Sequence, residues 1–261
     1  MKILVCVKQV PEPDIPILID AANQWIQHEE ITGFKMNRLD TYAVEEAVLI
    51  KEAATDTCIE VVTVGPDRCD EVVRRAIGMG VDAGVHIRTA TDGYLSPFQT
   101  ASWIAEFAHD QAYDLILTGA VSEDGMHGQV GPMLAAGLGL PWATYVISEK
   151  IAPDKETIYV EREIEGGNRD RLELKLPALI TIQSGINTPR WPSLSNLLKA
   201  NSQKLKLVAI DDRTGWQEME TLASLGYPEK SRTGLVLSGS RAEKAERLMK
   251  ILHENHLLDN G

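Results

Sequence analysis

The 261-residue sequence predicts an α/β fold, a doubly wound parallel sheet with an added β-hairpin and a C-terminal arm. Three observations predict it. In the first half of the chain, short apolar runs without polar alternation are each followed by a longer stretch with apolar residues at helical spacing. Runs buried on both faces and separated by helices require a parallel sheet with right-handed crossovers. After residue 145 the pattern changes to alternating segments, the mark of strands with one wet face.

In order, ILVCVKQV (3–10) reads as a first strand and DTYAVEEAVLIKEAA (40–54) as a helix. IEVVTVG (59–65) is the next strand, and CDEVVRRAIGMG (69–80) a helix stopped by glycine. AGVHIRT (83–89) is a third strand. SPFQTASWIAEFAHDQ (96–111) is a helix with Ser96 as N-cap and Pro97 at its first position. DLILTGA (114–120) is a fourth strand, and GQVGPMLAAGLGLP (128–141) a helix ended by Gly139 and Pro141. Residues 157–164 and 171–183, joined through EGGNRD, read as the added hairpin or meander. SGINTPRWPSLSNLLKA (184–200) is turn-rich and carries an exposed-looking Trp191. The pattern predicts an α/β domain over residues 1–200 and, over 201–261, an arm that packs on something else and ends in an amphipathic helix over 241–258.

Composition excludes several functions. A formal net charge of −12 with no dense basic patch argues against nucleic-acid binding. No apolar run is long enough to span a bilayer. Cys6, Cys58 and Cys69 lack any CxxC or zinc spacing, as expected of a reduced cytoplasmic protein with packed cysteines. The six histidines show no metal-ligand spacing, and GxSxG is absent.

The stretch DLILTGAVSEDGMHGQVGP (114–132) places a loop of small, acidic and glycine residues between a strand and a helix. It has neither the GxxxxGK[ST] of a P-loop nor, after the first strand, the GxGxxG of a dinucleotide site. Yet a helix beginning near Gly128–Gln129 offers free backbone N–H groups and a favourable dipole to an anion. A merely glycine-rich solvent loop is the competing reading. Chemistry is not indicated here, because His127 stands alone and Glu123 and Asp124 suit loop amides, a ribose hydroxyl or solvent.

Several segments together resemble the β subunit of an electron transfer flavoprotein. They are VCVKQVP, KMNRLDTYAVEEAVLIKE, VTVGPDRCDEVVRRAIGMGVD, the loop stretch above, VEREIEGG, LKLPALIT and GINTPRWPSLSNLLKA, in that order over almost the whole chain. The resemblance implies a Rossmann-like fold and a heterodimer whose α subunit holds most contacts to an electron-shuttling FAD. It implies an adenine nucleotide in the β subunit, AMP in ordinary members and a second FAD that oxidises NADH in bifurcating ones. By motif position the pocket would comprise Cys6; Asn37, Arg38, Leu39 and Asp40; Val64; and Gly119, Ala120, Val121, Ser122, Glu123, Asp124, Gly125, Met126, His127, Gly128, Gln129 and Val130.

QVGP followed by GLGLP is similar to bifurcating members, but Met126 and His127 stand where those usually carry an acid and a hydroxyl. NTPRWPSL is similar to the recognition loop of ordinary members, with Trp191 where tyrosine is usual. AMP is the expected ligand and a second FAD the alternative. The recognition loop implies docking of a flavin dehydrogenase of the acyl-CoA or amine dehydrogenase class. Its residues would be Arg190, Trp191, Pro192, Ser193, Leu194 as anchor, and Lys199. From the residues alone, Trp191 and Leu194 could instead pack on the following helix. The expected function is therefore an electron-carrier subunit, with a stand-alone nucleotide sensor or hydrolase as the rival of another class.

Overall fold

A computed structural model describes residues 1–20, 22, 25–26, 33–89, 93–209, 219–228, 234–255 and 257. The chain divides into two units, Met1–Leu225 and Gly226–Gly261.

In the first unit, β1 (Lys2–Cys6) leads to a short antiparallel pair, β2 (Gln9–Pro11) with β3 (Phe34–Met36). Then follow α1 (Arg38–Ala53), β4 (Cys58–Gly65), α2 (Asp70–Met79), β5 (Ala83–Arg88), α3 (Pro97–Ala108), β6 (Leu115–Gly119) and α4 (Val130–Leu138). The rest comprises β7 (Trp142–Ile151), β8 (Thr157–Glu163), β9 (Arg169–Lys175), β10 (Ala178–Ile182), α5 (Leu194–Ser202) and β11 (Lys206–Ala209). The main sheet has nine strands in the order β11-β5-β4-β1-β6-β10-β7-β8-β9. Pairing is parallel from β11 to β7 and antiparallel from β7 through β9.

The run ILVC explains the layering. Ile3 and Val5 project into one apolar cluster, shared with Val44, Ala47 and Val48 of α1 and Val73 and Ala76 of α2. Leu4 and Cys6 project into the other, shared with Ile104 and Ala105 of α3 and Leu134 and Ala135 of α4. A strand covered on both faces has no polar positions to alternate. The fold is thus the expected doubly wound, Rossmann-like α/β arrangement. β1 pairs with β4 on one side and β6 on the other, so the strand order reverses at β1. Ligand crevices form at such reversals, beyond the carboxyl ends of the strands.

The expected helix caps are present. Ser96 accepts from Gln99 N and Pro97 opens α3. Gly139 ends α4 in the left-handed conformation. Several elements differ from the expectation. The first run breaks after Cys6, and the chain re-enters a strand at Gln9. The run 171–183 is two strands divided at Pro177, which has no N–H to give a ladder. Its second half, β10, lies between β6 and β7 in the parallel part. β7 escaped notice because a bulge shifts its register opposite Ile180–Ile182, so the buried Ala143 and Val146 are three apart rather than two. β11 was missed as well; it extends the sheet beside β5.

The second unit contains α6 (Arg241–Glu254), opened by a reciprocal capping box between Ser240 and Glu243. Residues 231–233 of the expected loop, and His256 and Leu258 of the expected helix, lie outside the described residues.

Candidate nucleotide and docking sites

At the strand-order reversal the chain buries two polar side chains. Asn37 is 1 % and Asp40 5 % exposed. Asp40, in the first turn of α1, accepts from Lys8 N (2.7 Å), Gly119 N (3.1 Å) and Asn37 Nδ2 (3.0 Å). It thereby ties the end of β1 to the end of β6. Burial pushes its carboxyl up to about 7, against those three hydrogen bonds and the Lys8 charge. Asn37 precedes α1 but does not cap it with its side chain. Instead Nδ2 also donates to Val121 O (3.0 Å), and Oδ1 accepts from Glu123 N (3.0 Å). These two residues form a strap that sets the shape of the loop. A Cβ on Gly119 would collide with Asp40 Oδ1 and lie 3.0 Å from Asp40 N, so only glycine admits the strap there.

The loop lies between β6 and α4. Ala120 is buried and donates its N–H to Ile182 O (2.9 Å). The two acids are neutralised from outside the loop. Asp124 pairs with Lys8 (2.7 Å) and Glu123 with Lys35 (3.1 Å); Arg38 N also donates to Glu123 (3.3 Å). Burial alone would raise the Asp124 carboxyl, but the Lys8 charge and bonds from Lys8, Ser122 and Gly125 hold it below the usual range. Met126 N donates to Ser122 O (2.8 Å), closing a turn in which Met126 has φ 54°. Met126, His127 and Gln129 are exposed. Gly128, at φ 64°, needs the freedom of glycine to turn the chain into α4. Gln129 stands at the N-cap with no side-chain cap, which leaves the end of α4 open to an anion.

The sequence-named residues therefore separate by role. Asn37 and Asp40 are structural, with side chains directed at protein groups. Leu39 is half-buried and Arg38 exposed beside them. Cys6, Val64 and Val130 share one apolar cluster beside the loop. Burial, then the nearby Asp40 carboxylate, pushes the Cys6 thiol up, so it is an inert packing group. Cys69 is likewise buried, whereas Cys58 is exposed.

The segment 184–202 is anchored elsewhere, on α1 and α2. Asn187 Nδ2 donates to Tyr42 O (3.0 Å) and Glu46 Oε2 (2.7 Å). Arg190 forks onto the buried Glu45 (2.9 Å) and onto Glu52 (2.6 Å). Glu46 lies beside the carboxyl of Glu149 of β7. Burial, then the Glu46 charge, pushes the Glu149 carboxyl up to about 7. Pro192 and Leu197 press on α2 at Gly78, and Arg75 lies over the Trp191 ring. Arg74 closes the far end, donating to the carbonyls of Ala200, Asn201 and Gln203 (2.9–3.2 Å). Ser193 caps α5 by accepting from Asn196 N. On this fixed base Trp191 is 83 %, Leu194 74 % and Leu198 62 % exposed, and Lys199 faces solvent. Trp191 and Leu194 do not bury themselves against the helix.

The family profile "Electron transfer flavoprotein domain" matches residues 24–213. A β subunit of electron transfer flavoprotein from Methylophilus methylotrophus is 31 % identical, aligned over 97 % of this chain and 98 % of its own. The mitochondrial β subunit of Arabidopsis thaliana is 30 % identical over 99 % and 100 % of the two chains. That of Bos taurus is 35 % identical over 81 % and 82 %. The chain belongs to the electron transfer flavoprotein β-subunit family. As a member of that family it takes part in electron transfer. Among the described residues no helix is long and apolar enough to cross a membrane, and no group of acids, histidines and cysteines is placed to hold a metal.

Sequence reasoning missed several residues that shape the loop and the 184–202 segment. Lys8 and Lys35 reach the loop acids from 116 and 88 positions away, a pairing no local pattern shows. Leu198 extends the apolar face of α5 and was detectable, since it follows Leu194 by one helical turn. Glu45 and Glu46, acids in a helix, are both buried, where Arg190 and Asn187 of the 184–202 segment meet them.

Proposed function

We propose that the chain is the β subunit of a heterodimeric electron transfer flavoprotein, a carrier that catalyses nothing alone. It holds AMP at the strand-order reversal and docks flavin dehydrogenases of the acyl-CoA or amine dehydrogenase class through segment 190–199. The α subunit, held in part by the arm over 201–261, carries most contacts to the FAD that accepts and passes on the electrons. A cytoplasmic location accords with three free cysteines.

One observation carries the nucleotide reading: the Asn37–Asp40 strap fixes a loop that runs into the uncapped start of α4. The residues present fit a phosphate. Lys8 and Lys35 are engaged with Asp124 and Glu123, so the anion would meet backbone N–H groups around Gly128, Gln129 and Val130 and the positive end of the helix. Cys6, Val64 and Val130 offer apolar surface to a base. The chain's own residues orient the nucleotide and exclude water; redox chemistry belongs to the FAD.

The exposed row Trp191, Leu194 and Leu198 supports docking. It is already ordered by Arg190, Asn187 and Arg74, so little conformational entropy is lost on contact. Burying one leucine contributes about 1.5–3 kcal/mol, the scale of a transient encounter.

The test is to purify the co-produced heterodimer without added nucleotide, denature it, and count the nucleotides released. One FAD and one AMP are expected. Two FAD and no AMP would replace this reading with a bifurcating, NADH-oxidising complex. One FAD with no second nucleotide would remove the role given to the loop.

A further inference from the structure

Tyr145 stands out in the first unit. It occupies the bulge of β7 with φ 57°, a region that a bulky L-residue avoids. Ala143 pairs with Ile180 and Val146 with Ile182, so Thr144 and Tyr145 together oppose Thr181. The distortion is held in place, since Tyr145 N donates to Thr181 Oγ1 (3.1 Å) and Thr181 is 1 % exposed. A bulge re-aims a side chain, and this one brings the phenol oxygen toward the loop. The phenol oxygen lies 3.8 Å from the point where a Cβ on Gly128 would stand. It meets no protein hydrogen-bond partner among the described residues. A strained aromatic residue is thus fixed with a free hydroxyl at the entrance to α4.

We infer that Tyr145 is a ligand-contacting residue of the nucleotide site, its hydroxyl donating to a phosphate oxygen held at the start of α4. The inference rests on the nucleotide reading above. A neutral donor suits a site where Lys8 and Lys35 are already paired with the loop acids. The absence of a side chain at Gly128 keeps the space between hydroxyl and backbone open.

The test uses the full heterodimer, stripped of its AMP-site ligand, with AMP and adenosine titrated by calorimetry into the parent and Tyr145→Phe. The variant keeps the ring and removes only the hydroxyl. AMP affinity is expected to fall about tenfold, the scale of one hydrogen bond to a charged group, while adenosine affinity stays unchanged. The thermal midpoint is expected to match the parent. Equal AMP affinity in parent and variant overturns the inference, and so does an equal loss for AMP and adenosine, which would move the contact off the phosphate. A parent that binds neither compound overturns the nucleotide reading itself, an outcome distinct from the other two.

Discussion

The strap at the strand-order reversal and the segment on α1 and α2 invert the usual partition of side chains in opposite directions. The first puts Asn37 and Asp40 inside, where a polar group is costly unless fully bonded. The second puts Trp191, Leu194 and Leu198 outside, where an apolar cluster gains nothing for folding. Each is held by a polar network reaching far along the chain: Asn37 to Glu123 across 86 positions, Arg190 to Glu45 across 145. What differs is the product. The strap fixes a loop of backbone groups at the start of α4; the tether presents an exposed face of side chains. Backbone groups at a helix start suit an anion, and exposed apolar side chains suit a protein.

The comparison breaks most readily at Gly119. Gly119→Ala forces a methyl group against Asp40, whose carboxyl cannot move without releasing Lys8 N and Asn37. Chemical denaturation is expected to show a loss of about 3 kcal/mol, the upper end for overpacking, with nucleotide affinity falling alongside. A change below about 0.5 kcal/mol would mean that the strap yields easily. On the other region, Arg190→Ala leaves the Glu45 carboxylate buried without its partner. The expected cost is about 2 kcal/mol, less than for a fully buried pair because the Arg190 side chain is 34 % exposed. Docking should weaken while AMP remains bound, and a variant that also loses AMP would show that the two sites are coupled. The smallest stability effect is expected at Leu194. Leu194→Ala should leave unfolding within about 0.5 kcal/mol of the parent, yet slow electron transfer from a docked dehydrogenase about tenfold. A stability loss equal to that of Arg190→Ala would show Leu194 to be packing, not docking.

Much of the fold was legible because its determinants are local. Ser96 and Pro97 announce α3, Gly139 closes α4, and the uninterrupted run at Ile3–Cys6 can only be a strand covered twice. What stayed hidden was set by partners distant in sequence. The bulge at Tyr145 breaks the period of β7 for the sake of a bond to Thr181. Pro177 gives no hint that the residues on its two sides go to different parts of the sheet. Of the candidate site, the loop and the positions Asn37 and Asp40 were visible through resemblance. Their orientation was not, because it depends on whether the side chains turn to Val121 and Gly119 or to a ligand.

Among the described residues the outermost strand, β9, pairs only with β8. Its sequence, RDRLELK, sets charges of both signs along that rim, and Arg169 and Arg171 converge on Glu161 of the neighbouring strand. A second copy approaching edge to edge would have to dehydrate this rim before any ladder could form. With a formal net charge of −12, the copies also repel one another at longer range. Mixed charge along the rim and net negative charge on each copy thus both act against edge-to-edge ladders between copies.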